Sequence, residues 1–327
     1  MSVYTELSES DVAGILKAYD LGRLQAFAGI AAGIENSNFF VDTDVGRFVL
    51  TVFERMSADE LPYFMHLMHH LSARGCVCPD VMRRSDGSFL FDIMGKKGAV
   101  VSCLPGRTLD ALSDTQLYQA GRALAELHHA GADFPMRREN STGCVWVRQQ
   151  VAAMQEDVAV RYGNDVAELL ADEVHWQAGL DASIDAIRMD EMTGDELPRG
   201  VIHGDLFCDN ILFNDASDGD VKPGIIDFYY AHDAFYVMDI AISLNALAIR
   251  LQDDDAVRSQ HFLNGYASLR PLTAAETSLL PGFLRRAALR FWVSRLFDAL
   301  YPRAGATTTI KDPEEYRLKL LHHRGSQ

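Results

Sequence analysis

Lysine is scarce in this chain: Lys17, Lys96, Lys97, Lys222, Lys311 and Lys319 are all it has in 327 residues. With arginine they give 30 cations against 46 Asp and Glu, a formal net charge of −16. Nucleic-acid binding draws most of its affinity from basic side chains set against phosphates, and here they are outnumbered and scattered, which excludes that class. Long apolar runs are missing as well. Even the most apolar stretch, Val237 to Ile249, contains Asp239 and Asn245, so no segment reads as a membrane span. Met1 to Asp20 has no basic stretch followed by an apolar run, so no secretory signal is expected. Cysteine is sparse and odd in number. Cys76, Cys78, Cys103, Cys144 and Cys208 show no C-x-x-C spacing, which fits reduced thiols and a cytoplasmic location. His66, His69 and His70 share a helical face, but no second ligand pair with zinc spacing follows, and they read as helix surface.

What is present is an ordinary globular composition, 48% hydrophobic and 23% charged, at a length that suggests two domains or lobes. The first hundred residues are strand-rich. Leu24 to Ala32, Asn38 to Val41 and Arg47 to Phe53 read as strands, with Asp42 to Gly46 as a hairpin turn. Ala58 to Arg74 follows with Leu61, Phe64, Met65, Met68 and Leu71 on the 3.6-residue period of a helix, and Gly75 is placed to stop it. Further strands are expected at Ser88 to Phe91 and Ala99 to Cys103, and Pro105-Gly106 breaks the chain at a hinge. Beyond it the patterns are helical. Ser113 to Gln116 is a capping box, and helices are expected over Gln150 to Arg161, Val166 to Arg188, Ala234 to Arg250 and Pro281 to Tyr301.

Residues 201 to 213 read Val-Ile-His-Gly-Asp-Leu-Phe-Cys-Asp-Asn-Ile-Leu-Phe, two short apolar strands flanking a polar loop with His203, Asp205 and Asn210. Gly224-Ile225-Ile226-Asp227-Phe228 follows. This is the kinase pattern H-x-D-x-x-x-x-N and then a strand ending in Asp-Phe. Three fixed residues match by chance at roughly one start in 8,000, and the flanking strands and second aspartate make coincidence rarer still. Asp205, with His203 in its loop, is the expected catalytic base for a substrate hydroxyl. Asn210 and Asp227 offer the hard oxygens that Mg²⁺ prefers, and the metal would bridge the phosphates of ATP. Gly33, Ile34, Glu35, Asn36, Ser37 and Asn38 lie between the first two strands, where backbone N–H groups and the Asn and Ser side chains can donate to phosphate oxygens.

At His203-Gly-Asp-Leu-Phe-Cys-Asp-Asn210 the chain resembles the aminoglycoside phosphotransferase and choline kinase superfamily, and within it the bacterial homoserine kinases of threonine biosynthesis. Gly33 to Val41 leading into Arg47 to Glu54, Leu104-Pro-Gly-Arg107, Val201 to Phe213 with Ile225 to Tyr229, and Ala288 to Asp298 carry the resemblance, which spans nearly the whole chain. It implies an α+β, two-lobed protein-kinase-like fold: a small antiparallel-sheet N-lobe with one helix over residues 1–104, and a larger, mainly helical C-lobe over 105–327. The hinge would fall at about 99–106. The resemblance also implies adenine binding through the backbone of Val101 and Cys103, and bracing of the catalytic loop by Asp239. The expected enzyme is an ATP- and Mg²⁺-dependent phosphotransferase with an alcohol acceptor. A related choline, aminoglycoside or methylthioribose kinase, or a nucleotide-binding pseudokinase, is the alternative.

One departure stands out. Kinases usually carry a lysine on the third strand, paired with a helix glutamate. Here the equivalent place holds Thr51, so the lysine that would pair with Glu60 is not expected there, and Arg55, Lys96 and Lys97 are the candidates for a phosphate-clamping cation. Homoserine brings an ammonium, a carboxylate and a hydroxyl. Arg290 and Arg295 suit the carboxylate, and Asp209, Asp233 or Asp298 the ammonium. The expected partner is therefore a small molecule, with neither nucleic acid nor membrane, on a monomer or homodimer.

Overall fold

The computed structural model describes residues 4–30, 36–189, 197–214, 222–302 and 310–325. Within them the chain forms two compact units. Unit 1 holds residues 1–107, 212–229 and 304–309, and unit 2 the remainder. The sequence predicts a single crossing near residue 104. The structure adds 212–229 to the first unit, because Ile225 N–H donates to Val77 O (2.9 Å) and Arg107 and Phe213 exchange backbone hydrogen bonds at 3.0 and 2.9 Å.

Unit 1 begins with α1 (Glu9–Lys17), which the sequence reading did not anticipate. Ser8 and Asp11 close a reciprocal cap at its start, satisfying N–H groups that the first turn would leave unpaired. Then come β1 (Leu24–Gly29), β2 (Ser37–Thr43), β3 (Arg47–Val52), α2 (Leu61–Ala73), β4 (Leu90–Ile93) and β5 (Lys96–Ser102). They form one antiparallel sheet in the order β1-β2-β3-β5-β4. Phe39 pairs with Leu50 and Val41 with Phe48. This register puts Phe39, Val41, Leu50 and Val52 in one core cluster with Val12, Ile15 and Leu16 of α1. A one-residue slip would turn that set to the opposite face. Of the segment expected as a hinge, Ala99 to Ser102 is paired strand, and residue 103 onward leaves the sheet.

Unit 2 opens with α3 (Asp114–Ala130), capped by Ser113 and Gln116 as the sequence indicated. There follow α4 (Cys144–Tyr162), α5 (Asn164–Met189) and β6 (Arg199–Ile202). The short strands β7 (Ile211–Leu212) and β8 (Gly224–Ile225) make a ladder of their own. Back in unit 2 lie β9 (His232–Phe235), α6 (Tyr236–Ser243), α7 (Asp255–Ala267), α8 (Ala274–Leu300) and α9 (Pro313–Gly325). The helix expected over Ala234 to Arg250 is in fact β9, α6 and a π-turn at Leu244–Ala248. α8 starts upstream of Pro281, because Thr273 and Glu276 form a third capping box that nucleates it.

The core of unit 2 gathers Val147, Met154, Leu170, Phe283, Leu289, Trp292, Tyr316 and Leu320. Side chains of this size contribute about 1.5–3 kcal/mol each when fully buried. α3 and α7 cross at reciprocal glycines. A Cβ at Gly121 would lie 2.0 Å from Phe262 O, and one at Gly265 would lie 1.9 Å from Tyr118 O. Among the described residues, no helix is long and apolar enough to cross a membrane.

Candidate active site

β6 ends at Ile202, and its continuation His203-Gly204-Asp205 is held by a carboxylate from α6. Asp239 is fully buried and accepts His203 N–H at 2.7 Å on Oδ2 and Gly204 N–H at 2.9 Å on Oδ1. Gly204 sits at φ +76°, and a Cβ there would lie 2.9 Å from Tyr230 O, so only glycine fits the turn. Asp239 also meets His128 Nε2 at 2.9 Å, and the other ring nitrogen, Nδ1, meets Tyr266 OH at 2.7 Å. Arg270 donates to the Tyr266 oxygen at 3.0 Å and to buried Glu276 at 2.9 Å. With its oxygen accepting from Arg270, the tyrosine gives its proton to Nδ1, so His128 carries its own hydrogen on Nε2. Burial depresses the His128 pKa, which keeps the ring neutral. Burial works to raise Asp239, but the bonds from His128 and the loop outweigh it and hold the carboxyl below its ordinary range.

The side chain of Asp205 keeps 23% of its surface exposed. Burial raises its pKa, against the opposing charges of Arg290, His203 and Lys311. Asn210 is buried, and its Nδ2 donates to Asp205 O at 2.8 Å and Asp205 Oδ2 at 3.3 Å. Both neighbours are acceptors, which fixes the amide orientation and leaves Oδ1 as the atom suited to a hard cation. In unit 1, Asp227 follows β8 at φ +64°, a left-handed conformation that Asp tolerates better than most residues, and it is exposed. The next residues anchor it. Phe228 is buried, and the Tyr229 ring meets Phe53 and Phe64 edge-on at 5.3 and 5.7 Å.

Of the expected nucleotide loop, Gly33 and Glu35 lie outside the described residues. Ser37 is fully buried, and its hydroxyl accepts from Tyr4 and Thr5 N–H at 2.8 and 2.9 Å and donates to Glu54 at 2.5 Å. Its side chain is therefore a structural group, contrary to the sequence reading. Asn36 is buried. Asn38 accepts from the Thr51 hydroxyl at 2.7 Å, which leaves its amide N–H groups able to donate. Val101 stands in β5 opposite Val49, and Cys103 N–H reaches Arg47 O at 3.4 Å. Two of the proposed clamping cations are engaged elsewhere, Lys96 with Glu54 and Thr5, and Lys97 with Asp92 at 2.7 Å. Glu60 accepts from Ser57 at 3.0 Å, and Arg55 is exposed.

Four of the residues expected at the acceptor separate. Arg290 donates to Thr142 Oγ1 at 3.1 Å and Gly204 O at 3.4 Å, and comes within 3.7 Å of Asp205. It supports the His203–Asp205 loop, a position that sequence spacing did not reveal. Asp233 accepts from Arg137 at 2.8 Å and Arg138 N–H at 2.9 Å. Asp209 and Arg295 line an open cavity of about 440 Å³ in unit 2, together with Phe207, Cys208, Lys311 and Glu315. Arg295 donates to Glu315 at 2.6 Å and Asp312 O at 2.8 Å. Lys311, unremarked in the sequence, pairs with Asp209 at 3.2 Å. The histidines of α2 serve packing: His69 meets Asp80 at 2.9 Å, and His66 meets the Phe89 ring edge-on at 5.2 Å.

Residues 26–272 match the model of the phosphotransferase enzyme family. The chain is 45% identical to a homoserine kinase of Methylobacillus flagellatus, across 98% of this chain and 95% of that one. It is 40% identical to a homoserine kinase of Neisseria meningitidis serogroup B, across 98% and 99%. In fold it is similar to a spectinomycin phosphotransferase solved with ADP and spectinomycin (TM-score 0.66, 12% identity, covering 97% of this chain and 95% of that one). An amicoumacin kinase solved with AMP-PNP, Ca²⁺ and Ami matches with a TM-score of 0.66 at 19% identity, over 96% and 91%.

Proposed function

The chain belongs to the phosphotransferase enzyme family, and from that premise we propose that it is a homoserine kinase, moving the γ-phosphoryl group of ATP to the side-chain hydroxyl of L-homoserine. The product, O-phospho-L-homoserine, serves threonine biosynthesis. The observation that carries the reading is the 45% identity to a homoserine kinase over 98% of the chain.

Phosphoryl transfer depends on positioning and charge neutralisation more than on covalent chemistry. Asp205 accepts the proton of the substrate hydroxyl, and its raised pKa brings it closer to the operating pH of a general base. Arg290, 3.7 Å away, steadies the ionised form. Asn210 holds the carboxylate in place through Nδ2. Bound Mg²⁺ would neutralise phosphate charge, with Asn210 Oδ1 and the Asp227 carboxylate as its oxygen donors. Asn36, Asn38 and the backbone of 33–35 would receive phosphate oxygens, with adenine at the backbone of Val101 and Cys103.

The test is phosphorylation by purified protein with Mg-ATP, across L-homoserine, choline, an aminoglycoside and 5-methylthioribose. A clear preference for homoserine is expected. Turnover of homoserine no better than of the other three would sink the assignment.

A further inference from the structure

The two cations of the cavity wall differ in what they have left to offer a ligand. Arg295 is 9% exposed and already held by Glu315, which is held in turn by Lys319 at 2.8 Å. Lys311 and Asp209 form an ion pair at 3.2 Å with side chains 51% and 62% exposed. An exposed pair of this kind contributes only about 0.2–1 kcal/mol, so exchanging its partners costs little. The pair sits close to the reacting group. Asp209 is one residue from Asn210, the Lys311 ammonium lies 5.0 Å from the Phe207 ring centroid, and both charges act on Asp205.

Homoserine presents a carboxylate and an ammonium on one carbon, with the hydroxyl two methylenes away. We propose that the Lys311–Asp209 pair reads this zwitterion, Lys311 taking the carboxylate and Asp209 the ammonium, so that the substrate inserts between two residues that otherwise pair with each other. Charge is conserved in the exchange, one ion pair giving way to two. The inference rests on the homoserine kinase reading and names the groups that separate an α-amino acid from a plain amino alcohol. Arg295 and Glu315 then act as the fixed wall of the cavity and leave recognition to the exposed pair.

Steady-state kinetics with Mg-ATP on the full chain tests this, using L-homoserine, 3-amino-1-propanol (no carboxylate) and 4-hydroxybutyrate (no ammonium). Lys311→Met should raise the KM for homoserine roughly tenfold or more, the scale of a lost charge-assisted contact. It should leave the KM for ATP unchanged and change the KM for 3-amino-1-propanol far less than that for homoserine, and Lys311→Arg should restore much of the loss. Asp209→Asn should weaken homoserine and spare 4-hydroxybutyrate. Equal loss on homoserine and 3-amino-1-propanol in Lys311→Met, or no loss on either, overturns the inference while homoserine turnover by the wild-type chain keeps the functional reading. Absence of that turnover overturns both. Melting temperatures equal to wild type exclude unfolding as the cause.

Discussion

Asp239 accepts the backbone N–H of His203 at 2.7 Å, so a side chain buried in α6 sets the peptide plane two residues ahead of Asp205. Three N–H groups converge on this carboxylate: those of His203, Gly204 and the His128 ring. In Asp239→Asn one oxygen becomes a donor facing donors. The expected loss is about 3–5 kcal/mol of stability, as for breaking a buried charge network, with kcat reduced in whatever fraction stays folded. Urea unfolding and active-site titration check it. Wild-type stability would mean that the loop is held by something else.

Asp205→Asn should leave nucleotide affinity intact and lower kcat by about two to four orders of magnitude, the usual contribution of a positioned acid or base. Calorimetry with an ATP analogue and a coupled assay read the two quantities separately. A kcat within a few-fold of wild type would remove Asp205 from its role.

His323 is expected to make stability depend on pH. Its Nε2 donates to Asn245 Oδ1 at 2.7 Å, because the Asn245 amide nitrogen is committed to Leu284 O at 2.9 Å. Burial, reinforced by His322 and Lys319 against the pull of Asp255, lowers its pKa from 6.5 to about 4. Between those values the unfolded chain binds the proton and the folded one does not. Stability is therefore complete above pH 6.5 and falls as the pH drops toward 4, by up to about 3 kcal/mol from this group. Urea unfolding at pH 5 and 7.5 should show a smaller difference for His323→Gln than for wild type. Equal differences would count against it.

Gly265→Ala should separate α3 from α7, because the new methyl carbon would have to occupy a point 1.9 Å from Tyr118 O. Overpacking of a fixed backbone contact typically costs about 1–3 kcal/mol. The drop is measurable by thermal melting, and Gly14→Ala in α1, with nothing within 4 Å of its added carbon, serves as the control.

The loop from His203 to Asn210 was legible because its pattern is local: His203, Asp205 and Asn210 keep fixed spacing between two apolar strands, β6 and β7. The sheet was legible through alternation and the Asp42–Gly46 turn. Where the reading failed, distant residues decide the matter. The segment after Ser243 continues the apolar pattern of a helix, but Lys319 draws in Asn245 O at 2.6 Å and His323 takes the Asn245 side chain. The regular ladder therefore gives way to a π-turn. α9 escaped notice for a related reason, since two of its buried residues, Lys319 and His323, look like surface in a sequence. Ser37 looked like a phosphate donor because nothing local shows that Glu54, Tyr4 and Thr5 converge on its hydroxyl. Arg290 and Arg295 were told apart only by their neighbours across unit 2.

Thr51 has a consequence for chemical profiling. Reagents that report ATP sites by acylating the third-strand lysine of kinases meet, at this position, a buried hydroxyl bonded to Asn38. In a labelled lysate this protein should escape such a survey at that position while remaining an ATP user. Inhibitors anchored on that amine should pass it over as well.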